Sequence, residues 1–303
     1  MSESSSPSCA QVRLRNGRCV PALGLGSWNL GQGRHAPEQE IEALQLGQQL
    51  GMQLIDTAEM YGNGRAEQLI SQAIGRTPPP YVVSKVLPGN ASARGIARAC
   101  EASLQRLGVR TLDLYLLHWR GGSDLAEVVD AFEALRDAGK IRDWGVSNFD
   151  VDDMQELWAI DGGSRCLVNQ VLYHAGSRGI EFDLLPWCAA HEVAVMAYSP
   201  LGSRALLDYP VLHAIGERRG VAATAVALAC DPQRQCHRHS RIWNAGACAC
   251  QRRGVHAAIA RRRSCPDRSR LRAAYAQTAA RPPVTPNKVA PAWLRICMTT
   301  RVA

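Results

Sequence analysis

Six apolar runs in this 303-residue chain end on residues able to do chemistry: Asp56, Lys85, His118, Ser147 with Asn148, Gln170, and Tyr198 with Ser199. Together they supply a carboxylate, an ammonium, an imidazole, two amides and three hydroxyls, the groups from which acid–base and hydrogen-bonding sites are built. Singly, each has an ordinary structural explanation. Asp56 could cap the helix that follows, Lys85 could be solvated, and His118 could be a satisfied buried histidine. Six consecutive runs closing this way are hard to attribute to packing, because parallel strands in a barrel deliver their C-terminal ends to one mouth. They read as one convergent site. A second group, Cys230, Cys236, His237, His239, Cys248 and Cys250, has zinc-type ligand chemistry. Its spacing matches no regular ligand pattern, so no metal is expected.

The elements that must position these residues follow from periodicity. Val12 to Val20 alternates around Asn16-Gly17, the strongest short-range hairpin signal. Beyond it, the spacing predicts strands over 23–25, 53–56, 81–85, 112–118, 143–146, 167–170 and 193–197. Helices are predicted between them, over 37–50, 66–74, 92–107, 125–138, 152–160 and 182–191. Helix 125–138 places Leu125, Val128, Val129, Phe132 and Leu135 on one face, with acids opposite. Seven strands alternating with helices indicate a parallel sheet covered by helices. An α/β (β/α)₈ barrel, which uses about 250 residues, fits better than an open sheet. A dinucleotide-binding open sheet would want G-x-G-x-x-G after its first strand, and Gly24-Leu-Gly26-Ser-Trp28-Asn-Leu-Gly31 lacks that spacing.

Composition narrows the class. Hydrophobic residues at 46% and charged residues at 20% exclude a disordered chain, a collagen or a coiled coil. No window offers the roughly 20 apolar residues of a membrane span, and the first residues have neither the basic start nor the apolar core of a signal peptide. A soluble cytoplasmic protein is expected. The net charge of +8 is uneven: residues 1–229 carry 20 basic and 25 acidic residues, residues 230–303 carry 15 and two. That basic segment has little aromatic interleaving and no recognisable nucleic-acid module, so no nucleic-acid partner is expected.

The motifs Leu54-Ile-Asp56-Thr-Ala-Glu-Met-Tyr61-Gly, Val83-Ser-Lys85, Leu116-Leu-His118-Trp119, Gly145-Val-Ser-Asn148-Phe, Val168-Asn-Gln170 and Ala197-Tyr198-Ser-Pro-Leu-Gly202 resemble the aldo-keto reductase family in order and spacing. The resemblance covers about residues 12–229. It implies reduction of a small carbonyl substrate by NADPH, with NADH as the alternative, by a monomer that needs no metal. It further implies that Tyr61 gives the proton, that Lys85 lowers its pKa, that Asp56 orients Lys85, and that His118 holds the substrate oxygen. Ser147, Asn148 and Gln170 would take the nicotinamide carboxamide, Tyr198 its ring, and Ser199, Pro200, Leu201 and Gly202 the pyrophosphate. Trp28 and Trp119 would wall the substrate pocket. The alternative is an inactive cofactor-binding or regulatory protein of the same fold, against which the complete Asp56, Tyr61, Lys85 and His118 set argues.

After Ala229 the resemblance stops, and with it the eighth β/α unit, so the barrel is expected to show an open seam. The chain divides into a disordered start over 1–11, the barrel over 12–229, and a poorly ordered Arg- and Cys-rich tail over 230–303. Codons permitted for Cys230 to Asn244, read one nucleotide later, accommodate Ala-Thr-Leu-Ser-Gly-Asn-Ala-Ile-Ala-Ile-Pro-Glu-Ser-Gly, a family-like eighth strand and loop. A one-nucleotide frameshift near codon 230 accounts for the simultaneous change in charge, cysteine content and resemblance. Correcting that nucleotide is expected to raise the melting temperature and tighten NADPH binding. Equal values for both versions, in thermal scans and fluorescence titrations, would make the tail a genuine structural element.

Overall fold

The computed structural model describes residues 11–74, 79–202, 206, 208–229 and 242–245. Strands β1 (Gln11–Arg13) and β2 (Cys19–Pro21) pair antiparallel with Val12 opposite Val20. The turn between them places Gly17 at φ +85°, the left-handed region the Asn-Gly signal anticipates. Gln11, the last residue of the start expected to be disordered, belongs to this strand, and residues 1–10 of that start lie outside the described residues.

Eight parallel strands close into a barrel in the order β10-β3-β4-β5-β6-β7-β8-β9. They are β3 (Leu23–Gly26), β4 (Leu54–Asp56), β5 (Tyr81–Val86), β6 (Leu112–Leu117), β7 (Ile141–Ser147), β8 (Val168–Leu172), β9 (Ala194–Tyr198) and β10 (Ile242–Ala245). Helices α1 (Pro37–Gln49), α2 (Arg65–Ala73), α3 (Ala93–Leu107), α4 (Leu125–Asp137), α5 (Val151–Ala159) and α6 (Leu184–Ala190) follow the first six barrel strands that precede β9. Their ends are set by local chemistry. Ser92 caps α3, which stops at left-handed Gly108, and Asp150 with Asp153 forms a capping box at α5. The apolar face of α4 is buried as its periodicity requires.

The sequence gives no eighth strand, yet the seam is filled. Ile242–Ala245 pairs with β9 over four residues and with β3 over two. Ladder bonds are made by the main chain, so an extended segment can supply them without family-like side chains. The zinc-type group at 230–250 has none of its six residues among those described. Helices α7 (Pro210–Arg219) and α8 (Ala223–Ala229) precede this strand, and bury Leu212, Ile215, Val226 and Ala227 with Leu206. Among the described residues no helix is long and apolar enough to cross a membrane.

Strand periodicity of two divides the barrel into an inside and an outside. Leu54, Val83, Leu114, Leu116, Val168, Ala194 and Met196 form an inner cluster that also takes Val12, Leu14 and Val20 of the hairpin. The hairpin thus plugs the end where the strands begin. Buried Asp143, on β7, accepts from Asn16 Nδ2 at 2.9 Å and Arg18 Nε at 2.7 Å, tying the hairpin turn to the barrel. On β5, Ser84 faces outward to buried Glu67 of α2, at 2.6 Å, while its neighbour Lys85 faces in.

Gly145 lies on the inner face of β7, where adjacent backbones crowd. A Cβ there would stand well inside contact distance of the Val168 carbonyl oxygen and 3.1 Å from Leu116 Cδ2. Gly145→Ala is expected to cost about 1–3 kcal/mol through overpacking, read as a drop of several degrees in melting temperature. An unchanged melting temperature would show that β7 and β8 are not so closely apposed.

Candidate active site

One residue pair further along each inner face, the apolar layer gives way to a polar one. Leu54 is followed by Asp56, Val83 by Lys85, Leu116 by His118, Gly145 by Ser147, Val168 by Gln170, and Met196 by Tyr198. These are the strand ends singled out by sequence, and they share one mouth.

At its centre is Lys85, fully buried at 0% exposure. Its Nζ lies 2.8 Å from both Asp56 oxygens and donates to the Thr57 carbonyl, also at 2.8 Å. The fourth neighbour is the Tyr61 hydroxyl, at 3.4 Å. Burial alone would depress the ammonium's pKa, but Asp56 and Tyr61 outweigh it and hold Lys85 above its ordinary value. Gln170 Nε2 donates to Asp56 Oδ1 at 2.8 Å, so the carboxylate is fixed from two sides.

Tyr61 reaches this pair through an unusual turn. Gly62, Asn63 and Gly64 have φ of 57°, 56° and 84°, three successive left-handed residues. Glycine and asparagine tolerate that region, and the chain reverses sharply enough to lay the Tyr61 ring over Lys85, with Nζ 5.0 Å from its centroid. Burial of the hydroxyl raises its pKa, Lys85 lowers it, and Asp56 adds a further rise; the net direction is upward. The lowering by Lys85 is thus exceeded by desolvation.

His118 packs edge-on against Tyr61, with centroids 5.8 Å apart, and 5.0 Å from Trp119. Burial, then the Lys85 charge, hold its pKa well below the ordinary 6.5, so the imidazole is neutral. Its Nδ1 is enclosed with no partner among the described residues.

The remaining groups form a second chain around the mouth. Asn148, at φ 59°, donates from Nδ2 to the His118 carbonyl at 3.0 Å and to Ser147 Oγ at 3.1 Å. Its Oδ1 accepts from the Tyr198 hydroxyl at 2.8 Å. Burial, then the charge of a Tyr61 phenolate, push Tyr198 up to about 12. Ser199 at φ 51° opens a turn closed by Gly202 N donating to Ser199 O at 2.8 Å. Trp28 is the outlier: it stands 54% exposed on the loop after β3, apart from the paired side chains.

Two contacts had no sequence signal or an unread one. The Thr57 carbonyl that holds Lys85 is a main-chain group, which no residue type announces. Glu59, within the Asp56–Tyr61 motif, accepts from Leu87 N at 2.7 Å and Asn90 Nδ2 at 2.9 Å, and sequence reasoning assigned it no role.

A match to the family model described as "Aldo/keto reductase family" spans residues 22–295. The chain belongs to the aldo/keto reductase family. It is 49% identical to "Methylglyoxal reductase YeaE" of Escherichia coli (strain K12) over 216 residues, 69% of this chain and 76% of that protein. It is 34% identical to "Glyoxal reductase" of Bacillus subtilis (strain 168) over 223 residues, 73% of this chain and 78% of the relative. Among solved structures, an aldo-keto reductase from Klebsiella pneumoniae in complex with NADPH superposes with a TM-score of 0.81 at 40% identity, covering 88% of this chain and 95% of that one.

Neutral His118 makes folded stability pH-dependent. The unfolded histidine takes up a proton near pH 6.5, while the folded one resists until well below it. Stability is thus complete above about pH 6.5 and declines as pH falls beneath it. Thermal scans at pH 7 and 5 should show a larger drop for the parent than for His118→Asn. Equal drops would mean that His118 is not held neutral.

Proposed function

We propose that this protein reduces small carbonyl compounds to alcohols, with 2-oxoaldehydes of the methylglyoxal type as its substrate class and NADPH as its reductant. The observation that carries the reading is the layer of Asp56, Lys85, Tyr61 and His118 at one mouth, with a fully buried cation beneath a tyrosine hydroxyl. The names of the Escherichia coli and Bacillus subtilis relatives support the substrate class, and the Klebsiella pneumoniae complex supports the cofactor.

The donor set suits a nicotinamide carboxamide. Gln170 spends its Nε2 on Asp56 Oδ1 and on Met196 Sδ, at 3.1 Å, leaving Oε1 as an acceptor without a partner among the described residues. Ser147 accepts from Asn148 and keeps its own hydroxyl proton to donate. These two would hold the carboxamide together with Asn148, Tyr198 would lie against the ring, and Ser199, Pro200, Leu201 and Gly202 would follow the pyrophosphate. When bound, NADPH supplies the hydride to the carbonyl carbon.

The protein's own residues then handle the oxygen. Neutral His118 can donate one hydrogen bond, and because Nδ1 is enclosed, Nε2 is the atom to meet the substrate oxygen. Tyr61 passes its proton to that oxygen as negative charge develops there, and Lys85 stabilises the phenolate left behind. Asp56 keeps Lys85 charged and aimed. The raised pKa of Tyr61 keeps the hydroxyl protonated, and ready to give, throughout the neutral range. Trp119 and Trp28 would bound the substrate. All these groups lie in residues 12–229, ahead of the strand that closes the barrel.

Tyr61→Phe should lower carbonyl reduction by about 10²-fold or more while leaving NADPH binding measurable by fluorescence, because only the hydroxyl is lost. Activity within a few-fold of the parent would remove Tyr61 as the acid. His118→Ala should reduce kcat/KM for methylglyoxal far more than cofactor affinity. An equal loss of both would reassign His118 to cofactor binding.

A further inference from the structure

We infer that Glu59 is a positioning residue that fixes the height of Tyr61 above Lys85; the inference rests on the reading of Tyr61 as proton donor. Strand β4 ends at Asp56, yet its hydrogen bonding to β5 continues. Thr57 N donates to Val83 O at 2.9 Å, and Glu59 N donates to Lys85 O at 3.3 Å. The next donor along that segment, Leu87 N, is met by the Glu59 carboxylate at 2.7 Å, and the same oxygen accepts from Asn90 Nδ2 at 2.9 Å. A side chain thus extends the ladder where the main chain has already turned away toward Tyr61.

The consequence is mechanical. Met60 separates Glu59 from Tyr61, and three left-handed residues follow it. Tyr61 N is bonded only locally, to Ala58 O at 3.0 Å. The longer-range ties that hold this loop in register with Lys85 run through Thr57 and Glu59. Glu59 also reaches past β5, because residues 88–90 form a short 3₁₀ turn that begins at Pro88, which has no N–H to offer. The turn leaves Leu87 N and Asn90 Nδ2 converging on one carboxylate oxygen, a charge-assisted pair of bonds. Since His118 N donates to Val86 O at 2.9 Å, the same stretch of β5 carries the third member of the site. The Tyr61 hydroxyl itself is faced by Lys85, Asp56, His118 and Tyr198, whereas the Glu59 carboxylate bonds only Leu87 N and Asn90 Nδ2 among the described residues. That carboxylate acts on the chemistry through the backbone it holds, the Tyr61 loop and the end of β5.

The test uses the full chain and Glu59→Ala, Glu59→Gln and Asn90→Ala. Glutamine keeps an acceptor oxygen at the same reach, and alanine does not. Glu59→Ala should lower kcat for methylglyoxal about 10- to 100-fold, with KM within about three-fold, since misplacing a reacting group by an ångström can cost that much. Glu59→Gln should recover to within about three-fold of the parent. Hydrogen exchange, which requires no turnover, should speed up in the peptides containing residues 57–63 and 85–90 of Glu59→Ala but not of Glu59→Gln. If Glu59→Ala does not fold, Asn90→Ala decides, with a smaller loss in kcat and faster exchange at 57–63. Parent kcat in the alanine variants, a loss confined to KM, or a glutamine variant as slow as alanine would overturn the inference. A parent chain that reduces no carbonyl would instead defeat the functional reading, while the exchange comparison would still report on Glu59.

Discussion

Lys85 is a charged side chain with no exposure to solvent, and the structure around it is arranged to make that tolerable. A lone buried ammonium would lose its proton or unfold the chain. Here Asp56 offers both oxygens, Thr57 offers a carbonyl, and Gln170 steadies the carboxylate from the far side of the barrel. Removing one partner of such a pair typically costs about 3–5 kcal/mol, although the intact pair need not exceed a well-packed apolar pair in stability. A barrel that needed only to fold would do as well with leucines at these positions. Keeping a cation there would serve the proton transfer proposed for the Tyr61 hydroxyl, 3.4 Å away.

The two ends of the barrel show how one strand face serves both stability and chemistry. On β7, Asp143, Gly145 and Ser147 share the inner side. Asp143 locks the hairpin plug at the bottom, Gly145 lets the neighbouring backbone approach, and Ser147 faces the mouth. Asp143, near its strand's start, is thus satisfied by the hairpin. Polar residues at the strand ends partly satisfy one another, while Ser27 Oγ, Thr57 Oγ1 and His118 Nδ1 are buried there without a partner among the described residues. Unspent hydrogen-bonding capacity at the strand ends is what a binding mouth requires.

Much of this was legible in the sequence because strand periodicity is strict. An apolar residue two positions before Asp56, Lys85, His118 or Gln170 sets which way each side chain points, so inner-face membership could be read from spacing. The hairpin was equally readable from Asn16-Gly17. What could not be read lay in the main chain or in the balance of opposing effects. The Thr57 carbonyl has no residue signature, and neither does the left-handed turn that folds Tyr61 back over Lys85. The charge of Lys85 was visible, but burial of the Tyr61 hydroxyl, which outweighs it, depends on packing from several elements. Ile242–Ala245 entered the barrel although nothing in its side chains marks it as a strand of this family, since main-chain pairing is blind to them.

Lys85 stays an ammonium at the heart of the barrel, held there by Asp56. Titrating ¹³C-labelled lysines by NMR, with the Lys85 signal assigned through Lys85→Met, measures this directly. The resonance should remain that of the protonated amine beyond pH 10.5, the ordinary lysine value, in keeping with its raised pKa. A Lys85 that loses its proton in the neutral range would contradict the account, because Tyr61 would then sit over an uncharged amine.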